Sequence, residues 1–287
     1  MKRFRNKTAF VTGAASGMGL ALSEALIARG ANVMMSDVES KSLNVAAKSL
    51  NAPAQIDTVV CDVTNHASVV DASMAVMLRF GEVNLLFNNA PARWVDQKGS
   101  TDIEDWRSII DINVMAVEHV TEVFLRIMRS NKQHSYVVNT VSIAGDLTPV
   151  YVSPYNYTVA AVIEYSKKVR QEIDGSNIKI SVLCPAWLKP NTNNVRDRVL
   201  SVSQSGGDSN DSPLCPIFKQ LRENGMSAED FAALALSSIA EERFYIFNDP
   251  VAQVAIGQIL SDYHGLLADG ELIPKNTIPN TETVDTA

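Results

Sequence analysis

Short apolar runs recur along the chain at 7–12, 32–36, 56–61, 83–88, 135–141 and 178–184. They are rich in Val, Ile, Leu and Phe and lack clean alternation with polar residues, as expected of strands covered by helices on both faces. Helical periodicity fills the intervals at 17–29, 40–50, 66–79, 102–130 and 154–174. Gly30 and Gly81 fall just past two of these stretches, where a left-handed cap favours glycine. Thr64 or Asn65 can cap the third helix, and Thr101 with Glu104 forms a capping-box pattern. Strand and helix alternating six times predict an α/β fold, a doubly wound parallel sheet with helices on both faces. No internal repeat is visible, and a single domain over 1–275 accounts for the pattern.

After Cys184 the alternation breaks. Residues 189–225 hold Pro190, Pro213, Pro216, Gly206 and Gly207 among many Ser and Asn, and are expected to form a long irregular segment. Such a segment is either a lid over a binding site or an insertion without a role. Ser227 then caps a helix running to about Glu242, Phe244 to Phe247 form a short strand, Asp249-Pro250 a turn, and 251–263 a last helix. The polar tail at 276–287 is expected to be disordered.

Composition narrows the function classes. The 287 residues are 46% hydrophobic and 20% charged, with a net charge of -7, which argues against a nucleic-acid surface. No apolar run approaches the ~18 residues of a membrane span. The basic start, Met1 to Lys7, leads into a strand and not into a signal-peptide core. Cys61, Cys184 and Cys215 are odd in number and widely spaced, and the first two are expected to be buried small residues. Together these predict a soluble cytoplasmic protein without nucleic-acid or membrane partners. His66, His119, His134 and His264 show no ligand spacing, so no metal site is expected. There is no G-x-S-x-G elbow and no Cys–His arrangement at the strand ends.

The chemistry centres on Thr12-Gly13-Ala14-Ala15-Ser16-Gly17-Met18-Gly19, between the first strand and the first helix. Glycines there let the backbone turn tightly and approach a pyrophosphate, while N–H groups at the helix start face the anion. Gly13, Ser16, Gly17, Met18 and Gly19 are therefore candidate cofactor residues. Asp37 ends the second strand, where a carboxylate can accept both ribose hydroxyls of adenosine and repel a 2′-phosphate. With no Arg or Lys at position 38, this favours NAD over NADP. A carboxylate that only caps the next helix is the alternative.

Across roughly 7–190 the sequence resembles the short-chain dehydrogenase/reductase family. The matches are TGAASGMG, Asp37, the pair Asp62-Val63 after the third strand, Asn88-Asn89-Ala90 after the fourth, Asn113 within a long helix, Ser142 after the fifth strand, and Tyr155 thirteen residues later. The resemblance implies a Rossmann-like fold, a nicotinamide-cofactor pocket and a dimer or tetramer. It makes Asp62 and Val63 adenine contacts, places Asn89, Ala90 and Pro185 at the cofactor, and makes Asn113, Ser142 and Tyr155 catalytic. In such chemistry a tyrosine moves a proton while hydride is exchanged, a serine polarises the substrate oxygen, and a lysine four residues after the tyrosine lowers its pKa and holds the nicotinamide ribose.

The chain departs from that pattern at the reactive end. Position 159, one helical turn after Tyr155, is valine, and Lys167 and Lys168 lie about 18–20 Å along the helix. The family's Asn-Asn-Ala-Gly ends in Pro91, Pro185 is followed by Ala186, and a threonine position is Pro190. Three readings are open. One is a variant dehydrogenase acting with NAD on a hydroxyl/carbonyl pair of a hydrophobic, aromatic-like small molecule, with Arg93 or Lys189 supplying a cation. Another is a lyase or isomerase using bound NAD cryptically, and the last a nucleotide-binding scaffold. Trp94 and Trp187, with Tyr151, Tyr157 and Phe218, are candidate substrate-side aromatics, although core or subunit packing would also place them. Val117, Val120, Phe124 and Ile127 form an apolar stripe that suits either a subunit contact or the core.

Overall fold

The computed structural model describes residues 3–90, 103–141, 153–185, 188–189, 225–250, 253, 254 and 257. Strands and helices alternate as β1 (Thr8–Thr12), α1 (Gly17–Ile27), β2 (Asn32–Asp37), α2 (Ser40–Ser49), β3 (Ile56–Val60), α3 (His66–Phe80) and β4 (Leu85–Asn88). Next come α4 (Ile103–Ile110), a π-helical turn (Asp111–Met115), α5 (Ala116–Met128), β5 (Ser135–Thr140), α6 (Ser153–Glu172), β6 (Ile178–Cys184), α7 (Ala228–Ala240) and β7 (Tyr245–Phe247). The strands form one seven-stranded sheet in the order β3-β2-β1-β4-β5-β6-β7. Every pairing is parallel. This is the doubly wound parallel sheet read from the apolar pattern, and the Rossmann-like fold that the resemblance implies.

Successive strand residues serve opposite layers, which explains why no polar alternation shows. Ala9, Val11, Val33, Met35, Leu85 and Phe87 pack with Leu22 and Leu26 of α1, Leu43 of α2 and Phe231 and Leu236 of α7. Phe10, Met34, Leu86 and Val137 point the other way, onto Val69 and Val76 of α3, Val120 and Phe124 of α5 and Val169 of α6. The apolar stripe of α5 is thereby resolved. Val120 and Phe124 lie in the chain's own core, Ile127 packs against it, and Val117 joins a third cluster beside α6.

Several end signals act as the residue types require. Asn65, not Thr64, caps α3 by accepting from the N–H groups of Ala67 and Ser68. Gly81 closes that helix in the left-handed region at φ 79°. Ser227 caps α7 by accepting from Asp230 N–H. The fourth strand starts at Leu85, two residues later than the apolar run, because the Asn84 side chain accepts the Thr8 N–H and replaces a ladder bond. Thr101 lies outside the described residues, and of the helix expected at 251–263 only 253, 254 and 257 are described, all helical.

The single helix expected over 102–130 is in fact interrupted. At Asp111–Met115 the backbone opens into a π turn, with Ala116 N–H bonded to the Asp111 carbonyl five residues back. The run Asp111-Ile112-Asn113-Val114 joins four poor helix formers, so a wider turn costs little there.

The chain order reverses between β1 and β4, and the crevice at their carboxyl ends is where open α/β sheets bind ligands. Among the described residues, no helix is long and apolar enough to cross a membrane.

Candidate active site

The glycine loop leaves β1 at Thr12 and is tied on both sides. Gly13 and Gly17 hold φ of 63° and 50°, conformations that side chains resist. Gly19 is needed for a different reason: a Cβ there would lie 2.3 Å from the Gly13 carbonyl oxygen and 2.8 Å from Asn89 Nδ2. At Gly17, by contrast, an added Cβ meets nothing within 4 Å, so the loop's outer edge is open. Ser16 precedes α1 without a side-chain capping bond, and the first turn carries no acidic residue. The positive end of the helix dipole is therefore not neutralised from within, which suits an anion. Met18 lies half-buried at this helix start.

Asp37 is 4% exposed at the end of β2. Its Oδ2 accepts Ala15 N–H at 3.2 Å and its Oδ1 accepts Glu39 N–H at 3.1 Å. The carboxylate thus fixes the glycine loop and the turn into α2 together. Asp62 is exposed just past β3, where its Oδ1 accepts from Thr64 N–H and Thr64 Oγ1–H. Val63 is half-buried against the core. The sequence reading missed Val38 and Val60, which stand beside these acids with 50% and 53% of their surface exposed at the carboxyl ends of β2 and β3.

Thr12 was missed as well. Its hydroxyl donates to the Phe87 carbonyl and accepts the N–H groups of Asn89 and Ala90 at 2.8 and 3.0 Å. A threonine ending a strand carries no mark in one sequence, yet it clamps the turn after β4 to the turn after β1. Beneath that turn, Asn88 Nδ2 donates to Thr121 Oγ1 and Asn139 Oδ1, and Asn139 Nδ2 donates to Ser166 Oγ. This buried chain joins β4, β5, α5 and α6.

On the far side of the crevice, Asn113 sits in the π turn and donates through Nδ2 to Thr158 Oγ1 at 3.0 Å. Tyr155 belongs to α6, so its backbone places it one turn before Thr158 and Val159. Val159 is 3% exposed and packs with Val117, Val141, Val162, Ile163, Val182 and Cys184. Burial pushes the Cys184 thiol up to about 12, so it stays neutral and is no nucleophile. Pro185 is buried immediately after β6, and Lys189 is exposed, its N–H donating to the Met226 carbonyl. Leu188 and Met226 form a bridge that pins together the two ends of the 189–225 stretch.

Ser142, Arg93, Trp94 and Trp187 lie outside the described residues, as do Pro91, Tyr151, Pro190 and Phe218. Tyr157 is on the exposed side of α6 with its ring 5.8 Å from that of Trp106. His66 and His119, far apart in sequence, bring their rings to 5.9 Å. Among the described residues no three His, Cys, Asp or Glu side chains are grouped as a metal would require.

Comparison with known proteins gives the family. A family model described as short chain dehydrogenase matches residues 7–199. The chain belongs to the short-chain dehydrogenase/reductase family. It is 27% identical over 281 residues to a 1-deoxy-11-beta-hydroxypentalenate dehydrogenase of Streptomyces avermitilis, covering 96% of this chain and 97% of that one. It is 28% identical over 258 residues to a CLA biosynthesis dehydrogenase/reductase of Lactiplantibacillus plantarum, covering 87% and 90%. A short-chain dehydrogenase/reductase of Burkholderia phymatum, solved in complex with NAD, superposes with a TM-score of 0.75 at 29% identity, covering 96% of this chain and 99% of that one. These relatives carry the names of dehydrogenases and reductases, and the chain is an oxidoreductase of their family, which does not favour the reading as a nucleotide-binding scaffold.

Proposed function

We propose that this short-chain dehydrogenase/reductase uses NAD to interconvert a hydroxyl and a carbonyl group on a hydrophobic small molecule, with an active site that lacks the family's lysine. The observation carrying the cofactor half is the glycine loop with Asp37: an open edge at Gly17, an uncapped helix start, and a carboxylate bonded to the loop itself. Those residues fit a dinucleotide. Backbone N–H groups of Ser16, Gly17 and Met18 would hold its pyrophosphate, Asp37 its adenosine ribose, and Asp62, Val63, Val38 and Val60 its adenine. Asn89, Ala90 and Pro185 would border the nicotinamide. The Burkholderia relative, solved in complex with NAD, supports NAD as the dinucleotide.

The bound dinucleotide supplies the hydride acceptor or donor. Tyr155 then moves the proton at the substrate oxygen, Ser142 donates a hydrogen bond to it, and Asn113 holds its place through the π turn. No amine stands one turn beyond Tyr155, because Val159 is apolar and closed into a cluster. The substrate side falls to Arg93, Trp94, Trp187 and Lys189, with the 189–225 stretch as a covering segment. The Streptomyces relative, named for a hydroxypentalenate, supports a hydroxyl-bearing hydrophobic substrate, and aryl alcohols are the first class to try. We place the protein in the cytoplasm as a homodimer or homotetramer.

The test incubates the protein with NAD and a panel of aryl and alicyclic alcohols, following NADH absorbance and products by mass spectrometry. Product with matching NADH is expected. Product without net NADH would move the protein to the cryptic-redox lyase or isomerase reading. Val159→Lys sharpens the result, because an amine one turn from Tyr155 lowers the phenol's pKa. It should raise dehydrogenase turnover and shift its pH optimum downward. Unchanged or lower turnover in a folded variant would sink the idea that the missing lysine limits an ordinary dehydrogenase.

A further inference from the structure

We propose that Thr158 is a positioning residue that couples Asn113 to the turn of α6 carrying Tyr155. This rests on the reading that Asn113 and Tyr155 border the reaction centre. Thr158 is 3% exposed and stands three residues after Tyr155, on the same helical face. Its Oγ1 accepts from Asn113 Nδ2 at 3.0 Å.

Asn113 reaches it from a backbone that has left α-helical register, since Ala116 N–H bonds five residues back to Asp111. One additional residue in the turn rotates the downstream residues by about 100° relative to an uninterrupted helix. A π turn of this kind is rare and concentrates at functional sites. The neighbouring position, Val159, offers no donor and faces Val117, Val141 and Val182. Among the described residues, the amide–hydroxyl pair is a polar bond that ties the π turn to α6. Removing the hydroxyl leaves the Asn113 amide and the Tyr155 turn free to shift against each other while the apolar packing survives.

Thr158→Val keeps the shape and deletes the acceptor, whereas Thr158→Ser keeps the acceptor. Thr158→Val should lower kcat about 10-fold, with KM for NAD changed by less than about 3-fold and Thr158→Ser near the parent. Asn113→Leu combined with Thr158→Val should be no worse than the more severe single variant. A second arm needs no substrate. A ring-fluorinated tyrosine at position 155 should show a displaced fluorine resonance in Thr158→Val and a restored one in Thr158→Ser. If valine and serine are indistinguishable in the fluorine spectrum, or if the two kcat losses simply add, Thr158 has no positioning role. NADH binding by the unaltered protein is measured separately: its absence would sink the proposed function, and the fluorine arm would still decide Thr158.

Discussion

The two sides of the crevice are built by different means. At the carboxyl ends of β1, β2 and β3 the chain is held by polar bonds to its own backbone. Ala14 N–H reaches the Ser36 carbonyl, Ala15 N–H the Asp37 carboxylate, and Cys61 N–H the Asp37 carbonyl, while Thr12 holds Asn89 and Ala90. At the carboxyl ends of β5 and β6, beside α6, the filling is Val141, Val159, Val162, Val182 and Cys184. The first side fixes backbone shape and tolerates few substitutions at a handful of positions. The second fixes helix packing and leaves chemistry to individual side chains, so one residue change can alter the reaction without disturbing the fold.

The hardest test of that contrast is Gly19→Ala. Its Cβ would collide with backbone, at 2.3 Å from the Gly13 oxygen, and cannot be relieved by a side-chain rotation. Overpacking of this kind costs about 1–3 kcal/mol. With the proposed pyrophosphate cradle displaced, the loop should lose NADH affinity by about 100-fold. Gly17→Ala, with open space around its Cβ, should cost only the left-handed backbone term of about 1 kcal/mol. Fluorescence titration with NADH and urea unfolding compare the two. Equal losses would mean that close approach at Gly19 is not what the loop depends on.

Asp37→Asn is the next step down. One acceptor for Ala15 N–H or Glu39 N–H can survive, but the charge does not. NAD affinity should fall about 10-fold, the loss of one charge-assisted bond, while NADP affinity should rise as the repulsion of its 2′-phosphate disappears. Paired titrations with the two cofactors read the ratio, and an unchanged ratio would remove Asp37 from cofactor choice.

The same contrast explains what a single sequence reveals. The sheet was legible because the central strands are buried on both faces, so Val11, Leu86 and Val137 lie in apolar runs. The glycine loop was legible because only glycine meets its demands at Gly13, Gly17 and Gly19, and Asp37 followed from its place at a strand end. Thr12 was hidden because a threonine at the end of a strand is ordinary, and its bonds to Asn89 and Ala90 depend on two turns far apart in the chain meeting in space. The π turn was hidden because periodicity alone reads 102–130 as one helix. The Asn113–Thr158 pair joins residues 45 apart and has no local signature. Val159 was visible as an apolar residue one turn after Tyr155, but only the structure shows that it lies sealed in an apolar cluster.

The mildest prediction uses the two described cysteines, one on each side, and is silent at neutral pH. Burial raises both thiols above the usual 9.0. The neighbouring Ser68 and Ser36 hydroxyls hold back the shift at Cys61, whereas burial alone acts on Cys184 and takes it to about 12. A raised folded-state pKa means that the folded chain keeps its proton where the unfolded chain has lost it. The stabilising contribution is therefore complete below pH 9.0 and is lost as pH rises toward about 12. Each such group contributes a slope of at most about 1.4 kcal/mol per pH unit in that window. Urea unfolding at stepped alkaline pH should show stability falling above pH 9.0 in the parent chain. Cys184→Ala should flatten that fall more than Cys61→Ala, after each is referred to its own stability at neutral pH. The reverse order would mean that the surroundings of Cys61 are drier than the apolar cluster around Cys184, and the contrast between the two sides would not hold.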